Sequence, residues 1–246
     1  MRIMVGALLG TALISAPAAV HAQRSAHGFL FGEPGAALTL RGGYALPRAG
    51  SDIFSYSIEQ LTLGRRDFAG PAWGLELAFP VSSRAEMAFG VMSSGSSAQS
   101  EYRRWLGDDD LPIAQTTGFR RVPVTASMRA YLLPPGRSIG RFVWVPSKLA
   151  PYVGAGAGVE WYRFTQRGEF VDEGTLDVVR DELRSSGWTP TAHVLAGFDV
   201  SLTTRLALST EGRYSWARAN LGDDFEGFQK IDLSGFATTI GLKLRF

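Results

Sequence analysis

The chain has 246 residues, 45% of them hydrophobic and 20% charged, enough for one barrel or sandwich domain or at most two small ones. Its 25 basic and 23 acidic side chains leave a formal charge of +2, so the pI near 9.0 reflects a small arginine excess and implies no basic surface for nucleic acid. Cysteine is absent, which excludes disulfides, thiolate metal sites and cysteine nucleophiles, and 29 glycines with 12 prolines argue for many turns and against a helical bundle.

Residues 1–22 read as a cleaved export signal. Arg2 is a minimal positive region, Ile3 to Ile14 an apolar one, Pro17 a helix breaker, and Val20-His21-Ala22 a small-residue cleavage site before Gln23. A membrane anchor needs about 20 apolar residues, and Ser15-Ala16-Pro17 ends this run too early. Residues 23–36 then form a short N-terminal periplasmic segment, and 37–246 the folded domain. No later run is long enough for a transmembrane helix, so insertion into a membrane would have to use strands.

From Ala37 onward the period is two. Eight segments each carry one apolar face: Leu38 to Tyr44, Trp73 to Phe79, Ala85 to Val91, Val122 to Leu132, Val153 to Trp161, Ala192 to Val200, Leu206 to Trp216 and Phe236 to Phe246. This pattern predicts an all-β domain. Short turns at Pro80 to Ser83 and about Ser201 to Thr204 alternate with long polar connections at 47–70, 94–119, 166–189 and 218–231, the last but one including a predicted short helix from Glu173 to Leu183. Such alternation is typical of transmembrane barrels. The connection 134–149 breaks it; its Phe142-Val143-Trp144-Val145 is expected to lie along the membrane surface.

Period two does not say which face points inward. An apolar face turned in would make a soluble barrel holding a greasy ligand. Three features argue for an apolar face turned out. The polar face is mostly Gly, Ala, Ser and Thr, and lysine occurs only at 148, 230 and 243, too sparse for a solvated exterior. Tyr44, Trp73, Trp161, Tyr214 and Trp216 fall near one set of strand ends, and Phe79 and Phe246 near the other, as two aromatic girdles. The segments are also long enough, since about ten tilted residues span an apolar band of about 25 Å.

The ending Ile240-Gly241-Leu242-Lys243-Leu244-Arg245-Phe246, with Ile240, Leu242, Leu244 and the terminal Phe246 on one face, resembles the assembly signal of outer-membrane barrels. The stretches Arg41-Gly42-Gly43-Tyr44 and Pro151 to Gly158 are similar to strands of small eight-stranded barrels of the OmpA, OmpX and OmpW type. The resemblance covers 37–246 and implies an antiparallel up-and-down eight-stranded barrel in the bacterial outer membrane. It implies as partners the outer-membrane lipid, lipopolysaccharide and the barrel-assembly machinery. Activity stays open, because that group includes anchors, adhesins, narrow channels and lipid-modifying enzymes.

The polar face carries Arg41, Glu76, Glu86, Arg129, Glu160, Glu211, Arg213 and Lys243, four acids and four bases. Arg41 beside Glu76 and Glu86 beside Arg129 predict a salt-bridged interior, with Arg205 and Arg245 at strand ends left in water. Other features carry less. Gly154-Ala155-Gly156-Ala157-Gly158 lacks the third glycine and the helix of a dinucleotide loop. Beyond the leader the histidines are His27 and His193; His193 with Ser185 and Ser186 is a candidate hydrolytic pair, weighed against a structural histidine bonded inside the barrel. Asp108-Asp109-Asp110 lacks the spacing of a calcium loop and reads as a solvated loop tip or a cation contact. Arg65-Arg66, Arg103-Arg104 and Arg120-Arg121 are candidates for phosphate contacts or for plain solvation. The expectation is a monomeric barrel without cofactor, structural or surface-binding in role, with a narrow channel and a lipid-acting enzyme as alternatives.

Overall fold

A computed structural model describes residues 28–107, 111–140, 142–171 and 178–246. The predicted leader, His27 and Asp108-Asp109-Asp110 lie outside the described residues. The fold is an eight-stranded antiparallel barrel whose strands we label β1 (Ala37–Pro47), β2 (Gly70–Ser82), β3 (Ala85–Leu106), β4 (Pro112–Tyr131), β5 (Leu149–Val171), β6 (Val178–Ser201), β7 (Leu206–Ala219) and β8 (Gly235–Arg245). Each pairs with its sequence neighbour, and β8 closes on β1 with Leu242 opposite Leu40 and Arg245 opposite Ala37. Closure removes the unpaired edges that an open sheet would present.

The strand alternation decides what faces where. Thr39, Arg41 and Ala45 of β1 are buried, while Leu38, Leu40, Tyr44 and Leu46 are exposed. On β8 the polar Thr239, Lys243 and Arg245 are buried, and Phe236, Ile240, Leu242 and Leu244 are exposed. A barrel that turns leucines outward and a lysine inward is stable only with lipid around it, because exposed apolar area in water costs about 25 cal/mol per Å². The architecture is that of a transmembrane β-barrel.

Five connections differ from the sequence expectation. The supposed loops 94–119 and 166–189 are largely strand. β3 and β4 pair from Ala85–Ala130 to Glu101–Ala114 and, after a register shift, again at Leu106–Pro112, and β5 and β6 pair from Leu149–Val200 to Val171–Val178. With 20 to 24 residues per strand these hairpins run well beyond the roughly ten needed to cross an apolar core. The helix expected at Glu173 to Leu183 does not form over 178–183, which belong to β6; pairing with β5 overrides local helix preference.

The connections 47–70 and 218–231, expected as polar loops, build an apolar core at the outer end. The first folds into a helix, α1 (Asp52–Gln60), and a short turn of 3-10 helix, Arg65–Phe68. Phe54 of α1 is fully buried, with Phe68, Phe119 and Phe164 at 4.8, 5.4 and 5.7 Å between ring centroids. Phe225 and Leu233, either side of a two-residue strand at Ile231–Asp232, join the same cluster. The apolar residues were spaced too widely for a periodic signal, and only the barrel mouth brings them together.

At the opposite end, 134–149 does not lie along the membrane surface. Gly136–Ile139 and Val143–Pro146 form a hairpin, and Leu30–Phe31 adds a third strand through Leu30 opposite Trp144. Trp144 is buried against the guanidinium of Arg245, 5.6 Å from the ring centre, and a side chain at Gly136 would meet its indole at 2.2 Å.

Candidate functional site

The distinctive chemistry lies inside the barrel. Arg129 on β4 is 1% exposed and reaches three carboxylates: Glu76 of β2, Glu211 of β7 at 2.8 Å and Glu86 of β3 at 3.3 Å. Its guanidinium also stacks over Tyr152, 5.1 Å from the ring centre. Arg41 donates to Glu76 at 2.9 Å and stands 3.5 Å from Glu211. Arg213 donates to Glu211 at 3.0 Å. Nearer the inner end, Lys243 donates to Glu86 at 2.8 Å, to Asp199 at 3.0 Å and to the Tyr131 hydroxyl at 2.9 Å. Tyr131 in turn donates to Asp199 at 3.0 Å.

These partners come from strands that lie far apart in the chain, and period two delivers each to the lumen. Room for the long side chains comes from small inward neighbours. A side chain at Gly197 would meet the Tyr152 hydroxyl at 2.7 Å, and one at Gly156 the His193 ring at 2.7 Å. An isolated buried charge would cost several kcal/mol, so the network is stable only because each cation meets at least one carboxylate.

Seven of the eight predicted interior charges meet in this network, and Arg41 with Glu76 and Glu86 with Arg129 are in contact. Glu160 departs from the expectation. It sits towards the outer end with Arg121 at 3.8 Å, and Arg121 also donates to the Leu233 carbonyl. Asp199, Tyr131 and Tyr152 were missed, although their parity with His193, Arg129 and Gly154 places them on the inward face. Arg245 is not in water: it is 4% exposed and donates to Ser201 at 3.0 Å, whereas Arg205 is exposed. Its burial follows from the hairpin carrying Trp144, which no local pattern announced.

His193 and the two predicted serines do not form a pair. Ser185 exchanges a hydrogen bond with the Tyr162 hydroxyl at 2.8 Å and accepts the Gly222 amide at 2.9 Å, and Ser186 is exposed on the outer face. His193 Nε2 instead meets Ser127 Oγ at 2.8 Å, with both residues buried in the lumen and Nδ1 without a hydrogen-bond partner. Among the described residues no carboxylate holds the ring as in a hydrolytic triad.

The arginine pairs separate. Arg65 and Arg66 are exposed; Arg103 ties down the first connection through the Ile58 and Leu63 carbonyls at 3.2 and 3.3 Å; Arg120 faces outward and Arg121 inward. Of the girdle residues, Tyr44, Trp73, Trp216, Phe79 and Phe246 are exposed on the outer surface, and Trp161 and Tyr214 are half-buried. Trp188, opposite Trp161, belongs with them. The terminal Ile240, Leu242, Leu244 and Phe246 are all exposed, and the Phe246 amide donates to the Ala36 carbonyl at 2.9 Å.

Inverted polarity and a closed register define a transmembrane barrel with a salt-bridged interior. No protein-family model and no curated protein matches the sequence. Among solved structures, the chain is similar to Neisserial surface protein A (12% identity, 86% of this chain and 96% of that one, TM-score 0.49). It is also similar to the outer membrane protein OprG from Pseudomonas aeruginosa (16% identity, 87% and 98%, TM-score 0.44). A third is Ail, the attachment invasion locus protein of Yersinia pestis (12% identity, 86% and 99%, TM-score 0.41), solved with the heparin analogue sucrose octasulfate.

Proposed function

We propose that the protein is a bacterial outer-membrane barrel that passes no solute and serves as a structural or surface-contact element, presenting its outer hairpins and apolar cap to the exterior. The observation that carries this is the position of Arg129, held in the centre of the lumen by carboxylates from three other strands. Two further layers support it: the Phe54 cluster above and the Trp144 hairpin below. The void beside Arg41, Glu76 and Arg213 measures about 20 Å³ and that beside Glu86 and Trp144 about 40 Å³, room for a water or two. Eight strands leave space for side chains and little else.

Burial supports a non-enzymatic role within this proposal, because Ser127 and His193, in contact with each other, are both buried in the lumen. The test is electrical and biochemical together. The mature protein should fractionate with outer membranes, shift mobility on gels when boiled, and show no steady conductance in planar bilayers. A large stable conductance would overturn the closed reading, and recovery as a soluble periplasmic protein would overturn the membrane one.

A further inference from the structure

On the outer face just above the tryptophan belt, two like charges stand directly opposite each other. Arg120 of β4 pairs with Arg163 of β5, both on the outward parity of their strands. Cross-strand like charges repel, and among the described residues neither has an ion pair with a carboxylate. On β6 and in the connection after β7, Glu182 is paired with Arg167 at 2.8 Å and Asp224 accepts the Arg184 amide at 2.8 Å.

The two guanidiniums are nonetheless held in place. Arg163 lies over the Trp161 ring, 5.0 Å from its centre, and its Nε is buried without a hydrogen-bond partner. Arg120 donates to the Ser93 hydroxyl at 3.4 Å, and Ser93 is itself opposite Trp73. The same row across the barrel continues with Gly95 beside Arg120 and Ser186 beside Arg163, so small residues flank the pair and leave its face clear. Two residues lower, on the same outward face, stand Val122, Trp161 and Trp188. The pair therefore sits where acyl chains give way to headgroups.

We infer that Arg120 and Arg163 form a binding site for the phosphate group of a membrane lipid headgroup, whose acyl chains lie against the Trp161–Trp188 surface. A phosphate between two forked guanidiniums turns the repulsion into bidentate contacts, and the lipid source follows from the adjoining apolar belt. This rests on the proposed membrane location, but its test does not.

Purified barrel in detergent micelles would be titrated with a phosphorylated glucosamine-based lipid and with the same lipid after phosphate removal, and retained lipid counted by native mass spectrometry. The wild type should prefer the phosphorylated lipid by about tenfold or more, the scale of one charge-assisted contact of about 1.5 kcal/mol or above, and that preference should fall with added salt. Arg120→Ala/Arg163→Ala should abolish the preference, while Arg65→Ala/Arg66→Ala should keep it; the boiling-dependent gel shift reports that each variant is folded. A preference that survives the first double substitution, or a wild-type preference indifferent to salt, would overturn the site. Displacement of the lipid by millimolar inorganic phosphate would overturn the lipid assignment. Failure to fractionate with outer membranes would defeat the proposed location and leave this measurement standing.

Discussion

Lys243 Nζ lies 2.8 Å from Glu86 Oε2, although their strands, β8 and β3, are separated by two others around the wall. The contact crosses the lumen. Lys243→Met would leave Glu86 and Asp199 buried near one another without that cation, and should destabilise the barrel by about 3–5 kcal/mol. Adding Glu86→Gln and Asp199→Asn should recover most of the loss, because neutral groups tolerate the site without a counter-ion. The measurement is the urea midpoint of the folded, fast-migrating form on gels. Equal stability of the single and triple variants would contradict the network.

Assembly is expected to depend on the last residue. Phe246 is exposed, follows Ile240, Leu242 and Leu244 on one face, and pairs by backbone with Ala36. Deleting Phe246, or Phe246→Asp, should lower outer-membrane yield far more than Lys148→Ala, a change at an exposed residue just before β5. Quantitative blotting of membrane fractions would decide it, and equal yields would remove the assembly role.

Phe54 sits at the centre of the cap, not of the barrel wall. Phe54→Ala should cost the cap about 3–5 kcal/mol through lost contacts and a residual cavity. Protease should then cut within 47–70 while the boiling-dependent gel shift persists. Loss of the gel shift would show instead that cap and wall fold as one cooperative unit.

The outer hairpin offers a pH test. The hydrogen bond from Arg167 holds the Glu182 carboxyl below its ordinary value of 4.5. A depressed carboxyl favours the folded hairpin above the ordinary value, and that contribution disappears as pH falls through the lowered one. Both side chains are open to solvent, so the effect should be small and screened by salt. An NMR titration of Glu182 should give a midpoint below that of free glutamate, and Arg167→Ala should return it to normal. An unshifted wild-type midpoint would show the pair to be transient.

How far the site was legible follows from where its signals lie. Arg41 and Glu76 lie on adjacent strands, so strand order and parity were enough to predict their contact at 2.9 Å. Asp199 and Tyr131 carried the same parity signal, and following every inward position would have found them. That Arg129 joins Glu211 across the lumen was out of reach, because it depends on the diameter and stagger of the closed barrel.

By itself, the sequence determined eight strands, their order and the lipid-facing side, because alternation repeats locally and a one-residue slip would turn every side chain over. Tertiary structure alone decided the rest. The Phe54 core gathers sparse apolar residues of two connections distant in the chain together with Phe119 and Phe164 of β4 and β5. The burial of Arg245 needed Trp144 brought in by a hairpin, and the long β5–β6 ribbon overrode a helix-prone stretch. The physical reason is the same in each case: these features draw their stability from contacts distant in the chain, whereas strand alternation is written residue by residue.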